Sequence, residues 1–423
     1  MRKFLSLLLL APFCAMAAEN VTLYRDVTLF DGTGSAPAGH RSILVKGERI
    51  AAVAGPELNV PEGGKIVEGQ GAFVIPGLID SHVHLATQPD RAEAEMLLKR
   101  NLLGGVTLVR DMAGDARFLA ELSRQTQLGE VAGPDITYAA LMAGPDFFVD
   151  PRTHAASKGL TAGQVPWLQS IDDKTDIPLA VAMARGTGAG GIKIYADLPA
   201  SIVRSIVAEA HRQNIPVWAH AMIFPATPKE GIDAGIDVIS HACLLGYQAM
   251  QVKPERYHNR APVDGALIDR QQDTMLAGLF QAMKAKGTVL DATLRVYREA
   301  DKRPGAYCPQ ELAAAITAQA HRAGVTVIAG TDGTAPPDAK WPELFDEIAL
   351  LVKEAGFTPK EALLAATSQS AKAIGRGSET GSVEAGKLAD FVLLREDPTK
   401  DVAALQSVRL VVKRGAQFER NQP

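Results

Sequence analysis

The sequence predicts an α/β fold: a (β/α)8 TIM barrel with a small composite β-sandwich domain formed by the N- and C-terminal segments. Three observations predict it. Eight short apolar runs alternate with helical stretches across residues 75–380, the number that a barrel requires. Alternating apolar and polar residues, typical of strands, fill residues 18–74 and return in residues 381–423. Finally, "IVAEAHRQNIPVWAH" and "ITAQAHRAGVTVIAG" repeat one helix–strand unit within the 423-residue chain.

Residues 1–17 are expected to be a signal peptide. Arg2 and Lys3 precede the apolar stretch "FLSLLLLAPFC", which is too short to cross a bilayer with ease. Ala15 and Ala17 supply the small-x-small pattern of a signal-peptidase site. We therefore expect cleavage near Ala17 and an exported protein, either periplasmic or secreted.

The two ends of the remaining chain are expected to form one strand domain. Near the N-terminus, "VTLYRDVTLFDGTG" and "SILVKGERIAAVAG" interrupt alternating apolar residues with turn residues such as Gly and Asp. The same texture returns in "GSVEAGKLADFVLLREDP" and "VRLVVKRG". Because these segments bracket the middle of the chain, residues 18–74 and 381–423 are assigned to this domain and residues 75–380 to the barrel.

The eight runs of the barrel are short and rich in β-formers. In chain order they are "AFVIPGLIDSHVHL", "GVTLVRDM", "DITYAALMAG", "GIKIYAD", "IPVWAHAM", "DVISHACL", "GTVLDATL" and "VTVIAGTD". In a parallel barrel the carboxyl ends of all strands point to one rim, where the active site forms. The last residues of each run are therefore the first place to search for chemistry.

The charge balance limits the partners. The chain has 44 Lys and Arg residues against 48 Asp and Glu residues, and loss of Arg2 and Lys3 brings the net charge from −4 to about −6. Such mild acidity argues against nucleic acid or an anionic membrane as a partner. The expected partner is a small-molecule substrate, with no membrane contact after signal cleavage, and the sequence leaves a homo-oligomer open.

Two cysteines, Cys243 and Cys308, remain once Cys14 leaves with the signal peptide. Two are too few for a disulfide framework. We expect two free or buried thiols, and a single bridge in an oxidising compartment stays open as the alternative.

Metal-ligating side chains cluster at the ends of the barrel runs. In "PGLIDSHVHL", His82 and His84 share one face because side chains alternate along a strand. Four other runs end in or near a candidate ligand, namely Lys193, His220, His241 and Asp332. All six side chains should converge on one rim, whereas the alternative for the His pair is one surface and one core histidine.

This set of side chains indicates a metal centre with two ions. Four neutral imidazoles and one carboxylate suit zinc or a similar divalent ion, and they exceed the ligands that one open tetrahedral site requires. Two neighbouring cations would lower the pKa of Lys193. Its neutral amine can then take up CO2 and bridge the two ions as a carbamate; the alternative is a salt-bridged or snorkelling lysine.

These motifs resemble the amidohydrolase superfamily, specifically its binuclear branch near imidazolonepropionase-like and Xaa-Pro dipeptidase-like proteins. The similarity rests on "PGLIDSHVHL", "GIKIYAD", "WAHAM", "SHAC", "AGTD" and the closing "AATSQSAKAIG…GSVEAGKLADFVLL", and it runs from about Val21 to the C-terminus. The resemblance implies a metal-dependent hydrolase with two divalent ions, which we expect to be zinc. It further implies one ion on His82, His84 and Asp332, and the other on His220 and His241, with carboxylated Lys193 bridging.

Five further residues are secondary candidates. Asp80 shares the face of His82 one step deeper, and Asp111 ends the second run, so each can orient a metal ligand or serve a purely structural role. Arg152, His154 and Tyr195 are candidates for binding a substrate carboxylate, since a guanidinium suits bidentate contact. The alternative for these three is an ordinary loop or surface position.

The function predicted from these residues is hydrolysis of a C–N bond in a dipeptide, an N-acyl amino acid or a cyclic amide. A metal-activated hydroxide would attack the carbonyl, and Asp332 would accept its proton and pass it to the leaving amine. The resemblance also disfavours deamination, because deaminases of that superfamily typically carry a catalytic Glu near the histidine of strand five, and none follows His220 before Glu230. Two alternatives stay open: a lactone or ester hydrolase with the same site, and a non-catalytic exported metal-binding protein.

Overall fold

The computed structural model describes residues 20–258, 260–300, 307–333 and 336–420 of the chain. The predicted signal peptide, residues 1–17, lies outside these ranges. Within them, no helix combines the length and the apolar character that crossing a membrane requires.

Eight parallel strands form the barrel, and we number them barrel strands 1 to 8. Their bounds are Leu78–Val83, Val106–Asp111, Asp135–Ala143, Gly191–Ile194, Val217–His220, Val238–Ser240, Val289–Asp291 and Val327–Ile328. Each strand pairs with the next in chain order. Hydrogen bonds from the Ser81 amide to the Ala329 carbonyl (3.0 Å) and from the Asp332 amide to the His82 carbonyl (2.9 Å) bring strand 8 against strand 1. The predicted barrel is confirmed.

Helices connect the strands and cover the outside of the barrel. The α-helices are Arg91–Leu103, Ala116–Gln127, Pro151–Ala156, Ile177–Gly186, Ala200–Arg212, Pro228–Ala234, Thr274–Lys286, Leu294–Ala300, Gln310–Arg322, Leu344–Lys353, Pro359–Ala365 and Ser368–Ala373. Short 3₁₀ helices span Pro145–Val149, Ala242–Ala249, Gly265–Leu267 and Val402–Ser407, and two short strands, Gln164–Val165 and Leu168–Ser170, extend the sheet at strand 3. Several helices begin at an aspartate whose side chain accepts an amide of the first turn, as Asp90, Asp115 and Asp176 do. Such caps satisfy amides that a helix leaves unpaired.

Both ends of the chain contribute to a second, strand-rich domain, as predicted. Its strands are Val21–Leu29, Ala38–Lys46, Arg49–Ala54, Lys65–Glu68, Phe73–Pro76, Phe391–Leu394, Val408–Lys413 and Ala416–Glu419, linked by hydrogen bonds in one sheet. The N- and C-terminal parts meet where Phe73–Pro76 pairs antiparallel with Phe391–Leu394. Tyr24, Ile43 and Val412 are among the residues of a separate buried core.

A buried ion pair fixes this domain to the base of the barrel. Asp135, the first residue of strand 3, lies 2.8 Å from Nζ of Lys413 and 2.8 Å from Nη2 of Arg414. Burial alone would raise the pKa of Asp135, but Arg414 and Lys413 outweigh that effect and lower it. The strand domain is therefore held at the amino ends of the strands, opposite the rim where barrels carry their active sites.

The expectation of two free thiols is wrong, because Cys243 and Cys308 form a disulfide with their Cα atoms 6.3 Å apart. Cys243 follows barrel strand 6 in the 3₁₀ helix Ala242–Ala249, and Cys308 precedes the helix Gln310–Arg322. These two helices pack against each other. The tertiary fold therefore brings together two cysteines that are 65 residues apart in the sequence.

Candidate active site

The structure brings all six predicted metal ligands to the carboxyl rim of the barrel. They line one cavity of about 660 Å³ and are His82, His84, Lys193, His220, His241 and Asp332. His82 lies in strand 1, Lys193 in strand 4 and His220 at the end of strand 5, whereas the other three follow strands 1, 6 and 8. Because parallel strands end at the same rim, residues up to 250 positions apart in the chain become neighbours.

The four imidazoles form a continuous row beside one carboxylate. Ring centres are 5.3 Å apart for His84 and His82, 5.1 Å for His82 and His241, and 4.7 Å for His241 and His220. Oδ1 of Asp332 lies 3.0 Å from Nε2 of His84 and 3.5 Å from Nε2 of His82, and Oδ2 lies 3.6 Å from Nδ1 of His241. A single carboxylate therefore faces three of the imidazoles.

The donor atoms fit a divalent metal ion. Ligand atoms of His82, His241 and Asp332 all lie within 4.8 Å of one another. Nζ of Lys193 and Nδ1 of His220 are buried, and neither has a hydrogen-bond partner in the described part of the chain. Buried polar atoms rarely stay unpaired. A cluster of nitrogen and carboxylate donors with two such atoms is the arrangement expected around zinc or a similar ion.

The protonation states also suit metal binding. Burial lowers the pKa of His220 well below its ordinary value and that of His241 to about 3, so both imidazoles are neutral near pH 7. Burial likewise lowers the pKa of Lys193 to about 7. Burial opposes ionisation of Asp332, but His82 and the other imidazoles outweigh it and hold the pKa of this carboxyl far below its usual value. Asp332 has the opposite effect on His84, whose pKa it raises despite burial. His220 and His241 thus offer neutral nitrogens beside an ionised carboxylate.

Two of the candidate ligands have a strained backbone. His241 (φ 75°) and Asp332 (φ 43°) adopt the left-handed conformation, which costs a non-glycine residue on the order of 1–3 kcal/mol. Space nearby is also tight, because a Cβ at Gly330 would overlap Oδ1 of Asp291 and lie 2.7 Å from Cβ of His82. Strain of this kind persists where the surrounding structure fixes the direction of a functional side chain.

Asp291 is a site residue that the sequence reasoning missed. Its Oδ2 lies 2.7 Å from Nδ1 of His82 and accepts hydrogen bonds from Ser240 Oγ (2.9 Å) and Arg110 Nη2 (3.2 Å). Burial raises the pKa of Asp291, but His82 and Arg110 outweigh it, so the carboxyl is ionised. An ionised carboxylate only accepts, so Nδ1 of His82 carries the hydrogen and Nε2 is free to bind a metal. The available signal was a carboxylate at the end of the seventh run, "GTVLDATL".

Replacing Asp291 with Asn should weaken metal binding without unfolding the barrel. The amide can donate as well as accept, so it no longer fixes the tautomer of His82, and such outer contacts typically contribute 10–100-fold in metal affinity. Competition with a zinc-buffering chelator should show a loss of roughly this size. The matched control is Asp273→Asn, which changes a buried helix cap outside the cavity and leaves a residue that also caps. Unchanged zinc affinity in Asp291→Asn would show that this contact does not position the ligand.

Asp80 and Asp111 contact backbone amides rather than imidazoles. Asp80 accepts hydrogen bonds from the amides of His82 (3.1 Å) and Thr331 (3.1 Å), and burial raises its pKa to about 7. Asp111 accepts from the amides of Leu85 (2.5 Å) and Ala113 (3.1 Å). Both carboxylates therefore hold the backbone next to the candidate ligands, and neither contacts a ligand ring.

Only some of the predicted substrate-binding residues reach the cavity. Tyr195 lines it, with its ring centre 4.0 Å from that of His220. Arg152 also lines it, but its guanidinium is paired with Asp150 through Nε (3.0 Å) and Nη2 (2.7 Å). His154 is exposed on the outer face of the helix Pro151–Ala156 and is absent from the cavity lining among the described residues.

The sequence reasoning also missed several aromatic and basic residues of the wall. Phe147, Tyr257 and Tyr307 line the cavity together with Arg260. The ring centre of Phe147 lies 4.4 Å from that of Tyr195, and the two tyrosine rings, Tyr195 and Tyr257, are 5.4 Å apart. No periodic pattern marks the long loop after strand 6, so no sequence signal distinguished Tyr257 or Arg260.

Glu230, the first glutamate after His220, serves a helix cap. Its Oε2 accepts hydrogen bonds from the amide and the hydroxyl of Thr227, each 2.9 Å long, at the start of the helix Pro228–Ala234. It is not among the described residues that line the cavity. Glu230 is therefore not placed to transfer a proton in the cavity.

Comparison with known proteins identifies the family. A model of the amidohydrolase family matches residues 73–417. Ochratoxinase from Aspergillus niger is 26% identical over 441 residues, which cover 93% of this chain and 85% of that protein. Imidazolonepropionase from Cutibacterium acnes is 27% identical over 373 residues, covering 84% and 83%. The crystal structure of a Xaa-Pro dipeptidase shares the fold, with a TM-score of 0.73 and 22% identity over 95% of this chain and all of that one.

Proposed function

Because the chain belongs to the amidohydrolase family, as its motifs predicted, we propose that it is a metal-dependent hydrolase that cleaves the C–N bond of a small substrate. The observation that carries the proposal is the convergence of four histidines, a buried lysine and an aspartate in one cavity at the barrel rim. The names of its relatives, an ochratoxinase, an imidazolonepropionase and a Xaa-Pro dipeptidase, support the choice of bond. The substrate classes are dipeptides, N-acyl amino acids and cyclic amides.

The proposed cofactor is a pair of zinc ions. His82, His84 and Asp332 would hold one ion, His220 and His241 the other, and Lys193, carboxylated by CO2, would bridge them. Support comes from the buried Nζ of Lys193 and Nδ1 of His220, which lack partners among the described residues. Bound ions would lower the pKa of water towards neutrality and polarise the substrate carbonyl.

Asp332 moves the proton in this mechanism. Its carboxylate is ionised and lies at the centre of the histidine row, 3.0 Å from His84. One carboxylate oxygen accepts a proton from the attacking water, and the same oxygen then protonates the leaving nitrogen. The second transfer is necessary because an amide anion is far too basic to leave unprotonated. His84, 3.0 Å away, holds the Asp332 carboxylate in position during both proton transfers.

The cavity walls position the substrate. On one side, Phe147, Tyr195 and Tyr257 form an aromatic surface next to His220. The lining also includes Leu97 and Leu168. A mixed cavity of about 660 Å³ is of the size that binds a small organic substrate.

A library assay tests the bond class. The purified protein, supplied with zinc, is incubated with dipeptides, N-acyl amino acids, cyclic amides, lactones and simple esters, and products are identified by mass spectrometry. We expect release of a free amine, or ring opening at a cyclic amide, from at least one amide class. Hydrolysis confined to lactones or esters would replace the proposal with an esterase, and no hydrolysis together with tight zinc binding would favour a non-catalytic metal-binding protein.

Export to an oxidising compartment, periplasmic or extracellular, is part of the proposal. The disulfide between Cys243 and Cys308 supports it, because disulfides persist mainly in such compartments. The predicted signal sequence at residues 1–17 agrees with it. Fractionation of producing cells checks this point, and an intact N-terminus in the cytoplasm would contradict it.

A further inference from the structure

Arg260 lies on the cavity wall between two aromatic rings. Its guanidinium carbon is 4.2 Å from the ring centre of Tyr257 and 4.4 Å from that of Tyr307. Nη1 donates a hydrogen bond of 2.8 Å to the backbone carbonyl of Tyr257. Contacts with both rings and this hydrogen bond restrict the orientation of the guanidinium. Binding of a ligand would therefore cost little further conformational freedom.

No carboxylate of the described residues forms an ion pair with Arg260. Burial lowers its pKa, and the neighbours that outweigh burial and raise it are tyrosines, Tyr257 first. Its Nε is buried and has no hydrogen-bond partner within the described ranges. The other arginines nearby differ, because Arg152 is paired with Asp150 and Arg256 with Asp146. A partly buried cation with unpaired N–H donors lowers the stability of the protein unless an anion binds to it.

Arg260 also stands at a suitable distance from the reacting groups. Tyr257, which stacks on its guanidinium, has its ring centre 5.9 Å from that of His220. The ring of Tyr257 thus lies between the guanidinium of Arg260 and the candidate metal ligand His220. In an N-acylated α-amino acid, one carbon atom separates the scissile nitrogen from the carboxylate. An amide placed at the histidine row can therefore extend its carboxylate along Tyr257 towards Arg260.

We propose that Arg260 binds the α-carboxylate on the amine side of the scissile bond. The substrates are then N-acyl α-amino acids or dipeptides with a free C-terminus, rather than neutral or cyclic amides that lack this group. This inference rests on the proposed amide hydrolysis and narrows its substrate class. The predicted contact with the substrate carboxylate is therefore assigned to Arg260 instead of Arg152, because the guanidinium of Arg152 already donates hydrogen bonds to Asp150.

Matched substrates test the proposal. An amide substrate with a free α-carboxylate is compared with its C-terminal carboxamide, first in the wild-type protein. We expect the acid to be preferred by about 100-fold in kcat/KM, the size of effect that hydrogen bonds to a charged group supply. In Arg260→Gln the acid should lose most of this advantage, mainly through a higher KM, while hydrolysis of the carboxamide stays within about threefold. Arg260→Lys should be intermediate because it keeps the charge without the fork.

Arg256→Gln is the control, because Arg256 is an exposed arginine paired with Asp146. This replacement should leave the acid preference unchanged. Equal hydrolysis of acid and carboxamide by the wild type would overturn the proposal while leaving amide hydrolysis intact. Full acid preference in folded Arg260→Gln would overturn it as well. If that variant does not fold, the wild-type comparison still decides, together with inhibition by the free amino acid product against its carboxamide. Failure to hydrolyse any amide would instead remove the proposed function.

Discussion

Asp332→Asn is expected to fold and to lose turnover by at least about 10³-fold, within the range that general acid–base groups contribute. The carboxylate lies 3.0 Å from His84 and faces His82 and His241. In the proposed mechanism it moves a proton between water and the leaving nitrogen. Asparagine has nearly the same shape and keeps an oxygen that can bind a metal ion, but it cannot accept and release that proton. The measurement is kcat on an amide substrate, with the melting temperature and the zinc content recorded in parallel.

The parallel measurements separate two explanations of this loss. If zinc content and melting temperature stay close to wild type, the loss belongs to proton transfer. If zinc is lost, Asp332 acts chiefly as a ligand, and assays at saturating zinc are needed to assign the remainder. A rate near that of the wild type in fully loaded Asp332→Asn would remove its role as acid and base.

Lys193→Ala is expected to reduce bound zinc from two ions per chain towards one or none, with a corresponding loss of activity. Nζ of Lys193 is buried and unpartnered within the described ranges, and the carbamate formed there would be the only ligand shared by both ions. Removing it leaves each ion without its bridge. The measurement is metal content by elemental analysis after removal of free zinc.

A lysine outside the cavity provides the control for Lys193→Ala. Lys387 donates hydrogen bonds to the Gly377 carbonyl and the Ser382 hydroxyl in the C-terminal segment. Lys387→Ala should keep both zinc ions. A Lys193→Ala variant that still binds two ions would show that this lysine does not bridge them.

Much of the site could be predicted from the sequence because a parallel barrel has simple rules. Strand ends share one rim, so His82, Lys193, His220, His241 and Asp332 could be brought together without knowing any distance. Because successive side chains of a strand point to opposite faces, His82 and His84 could also be placed on the same face. These inferences needed only the period of the strands and the direction of the chain.

Other parts of the site depend on tertiary contacts that no local pattern encodes. Asp291 contacts His82 across the barrel interior, 209 positions away in sequence. Arg152 pairs with Asp150 because Asp150 caps the helix Pro151–Ala156, and the first turn of that helix brings the two side chains together. Arg260 lies in an irregular loop after strand 6, where packing between Tyr257 and Tyr307 decides its orientation.

The disulfide was missed for a similar reason. Whether Cys243 and Cys308 can pair depends on the packing of the helix Gln310–Arg322 against the segment after strand 6. That packing brings their Cα atoms to 6.3 Å, within the range that a disulfide spans. Spacing along the sequence carries no information about this distance.

The most direct test of a metal-dependent amide hydrolase is whether amide cleavage depends on metal bound at the barrel rim. The protein is stripped with a chelator, dialysed, and assayed for amine release on its amide substrate while zinc is added back in known amounts. We expect no activity in the stripped protein and a recovery that reaches its maximum near two zinc ions per chain. Full activity in metal-free protein would contradict it.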